Sequence, residues 1–204
     1  MTDPLPYRMY LLAYDDAVLG PFNRGRAGFL VRAAVVTELA LRGILTESDG
    51  SIHDTGAARC DDPVLDDARE RPPAPGCGWR PLLLRDRDRT LRAVEEQLAA
   101  RGTLAVEDRP ALVAPERRVT IVDAGAVLAV REAAAAAVHA PADTPPADAA
   151  LLTLAALAAL PPTPSAPPTR LAALAARLGG LAPSLPEALR SLPEAMNRLP
   201  FRAS

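Results

Sequence analysis

The residues in this chain whose types and spacing suit binding chemistry are arginines. Between Gly20 and Thr37 stand Arg24, Arg26 and Arg32 with no acid among them, so that interval is locally positive. Further on, Arg85, Arg89 and Arg92 are spaced by four and three, which puts them one turn apart on one helix face. Like charges so arranged repel by ~0.2–0.5 kcal/mol per pair unless an anion sits among them. The guanidinium is a permanently charged, bidentate donor whose fork matches phosphate. The competing reading is an ordinary salt-bridged helix surface, because Asp88 lies four before Arg92 and Asp86 three before Arg89.

Catalytic patterns are missing from the sequence. It has no Gly-rich phosphate loop, no HExxH and no serine motif beside a histidine; the two histidines, His53 and His139, lie far apart. The expectation is a protein that is not an enzyme and requires no cofactor. Cys60 and Cys77 with two distant histidines give little support for zinc, and free thiols are expected over a disulfide. The formal charge of -2 and pI of about 5.7 provide no global basic field for nucleic acid, so an anion site has to be a local patch. The absence of lysine beside abundant alanine, arginine and proline matches a high-GC bacterial genome.

Helices must position these arginines. Arg26 to Arg42 carries Phe29, Ala33, Val36 and Ala40 at helical spacing and is stopped by Gly43. Asp49-Gly50 predicts a hairpin with ILTE and SIHD as its strands. DDPVLDDARER suits a short helix, and PPAPGCGWRP reads as a loop. Arg85 to Arg101 reads as a second long helix with Leu84, Leu91, Val94 and Leu98 on its apolar side. TLAVEDRPALVAPERRVTIV resembles two strands around an exposed tip, and this helix and hairpin are similar to a winged helix. VLAVREAAAAAVHA and ALLTLAALAAL are helices, and the proline-interrupted segment from 161 to 204 adds short helices packed on the same domain as residues 1–160. The run Ala149 to Leu160 is shorter than the ~20 residues a span requires. The N-terminus lacks the pattern of a signal peptide, so a cytoplasmic location is expected.

YLLAYDD, LVRAAVVTELALRGIL, DDPVLDDA, a W-x-P before an arginine-bearing helix, and LAARGTL follow one another in an order that resembles the Golgi phosphoprotein 3 family of phosphatidylinositol 4-phosphate-binding adaptors. The resemblance runs from about Tyr7 to Ala159, and ELALRG is its most specific part. It implies a mostly α single domain with a central four-helix bundle, surrounding amphipathic helices and a short β-hairpin. It also implies a basic headgroup pocket near the hairpin. Counting from ELALRG and from Trp79 transfers the pocket to Arg32, Arg89 and Arg92, with Arg85 or Arg87 as substitutes. The family's aromatic pocket position falls on Asn23, beside Phe22. The hairpin tip, with Ala111, Leu112 and Val113, implies shallow membrane contact and self-association into a homo-oligomer.

The leading expectation is therefore a peripheral adaptor on the inner face of the cell membrane, with an anionic phospholipid headgroup and a client protein as partners. A winged-helix-like nucleic-acid-binding regulator and a protein-protein scaffold are the alternatives; the acidic pI and Glu107, Asp108 and Glu116 on the hairpin argue against nucleic acid.

Overall fold

The computed structural model describes residues 3–15, 20–21, 23–56, 59–109, 116–139, 144–161, 163, 166–180 and 182–198. The first helix, α1 (Leu5–Leu12), places Pro6 in its opening turn, where a missing N–H is harmless. A short pair, β1 (Tyr14–Asp15) and β2 (Gly20–Pro21), leads into α2 (Arg24–Leu41). Asn23 caps α2, its side chain accepting from the Arg26 N–H at 3.0 Å, and Gly43 at φ +66° supplies the left-handed residue that stops it. β3 (Leu45–Ser48) and β4 (Ser51–Asp54) pair around Asp49-Gly50, both at positive φ, with Ser48 opposite Ser51.

α3 (Pro63–Arg69) is capped by Asp62, which accepts from the N–H groups of Val64 and Leu65 and also from the Tyr7 hydroxyl at 2.8 Å. The expected loop PPAPGCGWRP gives way at its last three residues to α4 (Trp79–Leu84), because Pro81 falls in a first turn that needs no donor. The expected helix from Arg85 is shorter, as α5 (Arg87–Ala100). Arg85 is extended and Asp86 left-handed at φ 53°, so Leu84 belongs to α4 and the chain turns between the two helices. β5 (Leu104–Arg109) and β6 (Glu116–Ile121) form the second hairpin. The chain continues through α6 (Ala124–His139), α7 (Pro146–Leu157), α8 (Pro168–Gly179), α9 (Leu185–Arg190) and α10 (Leu192–Asn197).

Helices α1, α2, α5 and α7 are the centre: α2 packs on the other three, and α1 touches α5 and α7. The sequence suggested an amphipathic α2, yet every residue from Ala27 to Ala40 is buried. A helix enclosed on all sides is apolar over most of its surface, and in this run only Arg32, Thr37 and Glu38 depart from that, while Gly28, Ala33 and Ala34 admit neighbours closely. At Gly28 an added Cβ would stand 3.3 Å from the Arg87 carbonyl oxygen, which sets how near α5 begins to α2. The outer helices cover this bundle, with α8 on α7, α9 on α4, and α10 on α2. Trp79 is 2% exposed and donates its Nε1–H to Glu47 at 3.0 Å, so the single tryptophan anchors α4 in the core. The architecture is mostly α, a single domain with a helical bundle at its centre.

Candidate anion-binding site

Burial on α2 forces a polar problem at Arg32. Its side chain is 3% exposed, and its Nε donates to the Leu82 carbonyl at 2.9 Å. That carbonyl lies in the last turn of α4, where no helical partner remains, so Arg32 caps α4 from the side. Among the described residues no carboxylate comes within ion-pair distance of Arg32. Desolvation by burial lowers its pKa from the ordinary guanidinium value to about 10, with the positive charges of Arg85 and Arg71 adding to the effect and Asp86 and Asp67 opposing it.

Arg32 lines a small cavity with Arg69, Arg71, Pro72, Leu82 and Arg85. Arg69 is tied to Asp54 by two hydrogen bonds, at 3.1 and 3.2 Å. Arg71 reaches Asp67 at 3.2 Å and Asp86 at 3.4 Å. Arg85 spends its terminal nitrogens on backbone, donating to the Pro72 carbonyl at 3.3 Å and to the Arg71 carbonyl. Its Nε is buried without a hydrogen-bond partner, 3.8 Å from Asp86 Oδ2. The cavity is thus lined by four arginines and Asp54, and the innermost guanidinium, Arg32, has no counter-ion among the described residues.

Arg89 donates from Nε to Asp67 at 3.1 Å and makes a second bond to the same carboxylate. These bonds hold the Asp67 carboxyl below its ordinary pKa. Asp67 therefore connects Arg89 and Arg71, and its charge also acts on Arg32, so Arg89 stands at the rim of the cluster. Arg92 is exposed, does not line the cavity, and has no ion pair among the described residues. The expected pairs Asp86–Arg89 and Asp88–Arg92 do not form: Asp86 faces Arg71 from outside the helix, and Asp88 lies 3.8 Å from its own neighbour Arg87. Asn23 is engaged as the α2 cap, while Phe22, Ala111, Leu112 and Val113 lie outside the described residues.

The other arginines of the early basic stretch are committed. Arg24 grips Glu95 with two bonds, at 2.7 and 2.9 Å, and Arg26 donates to Asn197 at 2.6 Å. Glu95, fully buried, also accepts from Arg117 Nε at 2.8 Å and from the Tyr10 hydroxyl at 3.1 Å, which fastens β6 to the bundle. Arg69 and Arg71 were not singled out from sequence. The available signal was the R-E-R-P-P run, where two arginines close a helix just before prolines that cannot continue it.

A helical single domain with a four-helix centre, covering helices and short antiparallel hairpins is the class of fold these elements define. The chain belongs to the Golgi phosphoprotein 3 (GPP34) family, whose sequence model matches residues 5–196. The match extends past Ala159 through the C-terminal helices, farther than the motifs alone suggested. The family is one of non-enzymatic adaptors. No curated protein matches the chain. Cys60 and Cys77 are free thiols, and among the described residues no helix is long and apolar enough to cross a membrane.

Proposed function

We propose that this domain is a peripheral adaptor that takes the phosphate of an anionic lipid headgroup at the Arg32 cavity. The observation that carries the reading is the burial of Arg32 with no carboxylate partner among the described residues. A buried cation without a counter-ion costs several kcal/mol, and a bound phosphate offsets that cost with short, charge-assisted hydrogen bonds. Arg71 and Arg85 line the same cavity and become further donors once a phosphate displaces their present partners. Arg89 and Arg92 on α5 add long-range attraction to an anionic surface, worth ~1 kcal/mol per charge. On the family resemblance, the apolar residues Ala111, Leu112 and Val113 add shallow insertion, and Phe22 and Asn23 are further headgroup candidates.

A recognition helix for nucleic acid gains no support from α5, whose Leu91, Val94, Glu95 and Leu98 are buried against the bundle. Flotation with vesicles of phosphatidylcholine alone, or with phosphatidic acid or phosphatidylinositol 4-phosphate added, tests the proposal. Binding is expected only to the anionic vesicles and to weaken with salt. Equal binding to neutral vesicles would sink it.

A further inference from the structure

The cavity over Arg32 is narrow. Its interior leaves ≈ 10 Å³ for water centres, room for about one water molecule. A phosphate group, with oxygens on every side, does not fit where one water does, so contact with Arg32 requires a wall to move. Most of the wall is core: Val36, Leu39, Leu45 and Leu82 are buried parts of α2, β3 and α4, and shifting them would unpack the bundle. Asp54, Ala68 and Arg69 add wall from β4 and α3, and Arg85 adds wall between α4 and α5; the one continuous stretch without regular structure is Arg71–Pro73, within the largely exposed segment Glu70–Ala74.

This segment is pinned at both ends, where the Ala74 carbonyl also accepts from the Cys77 N–H at 3.0 Å, and is held between them through Arg71 and Arg85. On one side Arg69 is fixed to Asp54, and on the other the Cys77 carbonyl accepts from the Ile52 N–H at 2.9 Å. Pro72 and Pro73 have no N–H to donate, so only carbonyls and side chains can hold the middle down. The carbonyls of Arg71 and Pro72 are both taken by Arg85, and the Arg71 side chain is tied to Asp67 and Asp86.

Resting on the anion-site reading above, we infer that Glu70–Ala74 is a strap latched over the cavity by Arg85, and that a phosphate monoester opens it by drawing Arg85 off the Arg71 and Pro72 carbonyls. The exchange balances in hydrogen bonds. Closed, the Arg85 terminal nitrogens serve two neutral carbonyls. Open, they serve a dianion, a better acceptor for a guanidinium, while the released carbonyls turn to water. The buried Arg85 Nε, without a partner in the closed state, gains one. The latch residue becomes a ligand residue, and apparent affinity is reduced by whatever fraction of molecules is closed.

The test places a nitroxide on Ala74→Cys in the full chain with Cys60→Ser and Cys77→Ser. Label mobility is recorded during titration with glycerol 3-phosphate, with phosphatidylcholine vesicles, and with the same vesicles carrying phosphatidic acid; binding is measured in parallel by calorimetry and flotation. The strap predicts an immobile label that becomes mobile with a phosphate monoester and stays immobile with neutral vesicles. Response to the soluble ester shows that free phosphate suffices, and response to phosphatidic acid vesicles alone assigns the opening to lipid. Binding with unchanged mobility overturns the strap and leaves the anion site standing; absence of binding in every arm overturns both. Arg85→Ala should give a mobile label with no anion present, and a label as immobile as in the parent refutes the latch. Should that variant fail to fold, the titration of the parent decides alone.

Discussion

Replacing Arg32 with methionine should make the ligand-free protein more stable. The side chain is buried, and burial depresses its pKa to about 10, so the charged form is disfavoured in the fold by ~3 kcal/mol at ~1.4 kcal/mol per pKa unit. Methionine is unbranched and of similar reach, so it can occupy the same channel between α2 and α4. Against the gain stands the Leu82 carbonyl, which loses its only side-chain donor at a cost of ~1–2 kcal/mol. The balance is a stabilisation of ~1–2 kcal/mol, equivalent to a rise in Tm of roughly 2–8 °C for a chain of this size. Because the folded-state pKa is depressed, the unfolded chain binds more protons only from about pH 10 up to the ordinary guanidinium value. The penalty is fully present below that window, so the gain of Arg32→Met should be flat from about pH 5 to 9. Urea denaturation of both proteins, without and with glycerol 3-phosphate, measures it. The parent should be stabilised by the ester, by ~2.7 kcal/mol at a hundredfold excess over Kd, and the variant should not. A variant less stable than the parent, together with a parent that ignores the ester, would refute the reasoning, because Arg32 would then be a satisfied structural residue.

Other consequences follow from the same contacts. Glu95→Ala strips Arg24, Arg117 and Tyr10 of a buried partner and should cost ~3–5 kcal/mol, read as a lower urea midpoint with an unchanged slope. Asp67→Asn releases Arg89 and removes a competing charge from the cavity rim, so affinity for anionic vesicles should rise about fivefold, following ~1 kcal/mol per charge. Burial alone would raise the Glu47 pKa, but hydrogen bonds from Ser184 and Trp79 overcome it and hold the carboxyl below 4.5. Stability from that contact is complete above the unfolded value and is lost as pH falls through the depressed folded value. Trp79 fluorescence and amide exchange in α9 should therefore change together on acidification below about pH 4, and a fluorescence change already at pH 6 would contradict the assignment.

Much of the frame was legible because local signals agreed with it. Asn23, Gly43 and the Asp49-Gly50 turn act through their own backbone, and ELALRG gives a register that lands on Arg32. The break between α4 and α5 was not legible, since Arg85 and Asp86 are unremarkable in a helical stretch. Arg85 is pulled out by carbonyls of a segment more than ten residues earlier, and Asp86 follows into the left-handed region, which aspartate tolerates. The salt bridges failed for the same reason. Spacing within one helix offered Asp86 to Arg89, but packing brings α3 alongside, and Asp67 there is the better-placed carboxylate. That Arg24 and Arg26 are committed while Arg32 is not depends on where Glu95 and Asn197 arrive, which no count along α2 contains.

The central claim is that the cavity guanidinium, rather than net charge, anchors the anion. Arg32→Met and Arg26→Met change charge equally on the same helix, but Arg26 donates to Asn197 and does not line the cavity. Flotation of both variants with phosphatidic acid vesicles therefore isolates the site. The account predicts that Arg26→Met floats nearly as the parent does while Arg32→Met is lost from the lipid fraction. Equal flotation of the two variants would contradict it.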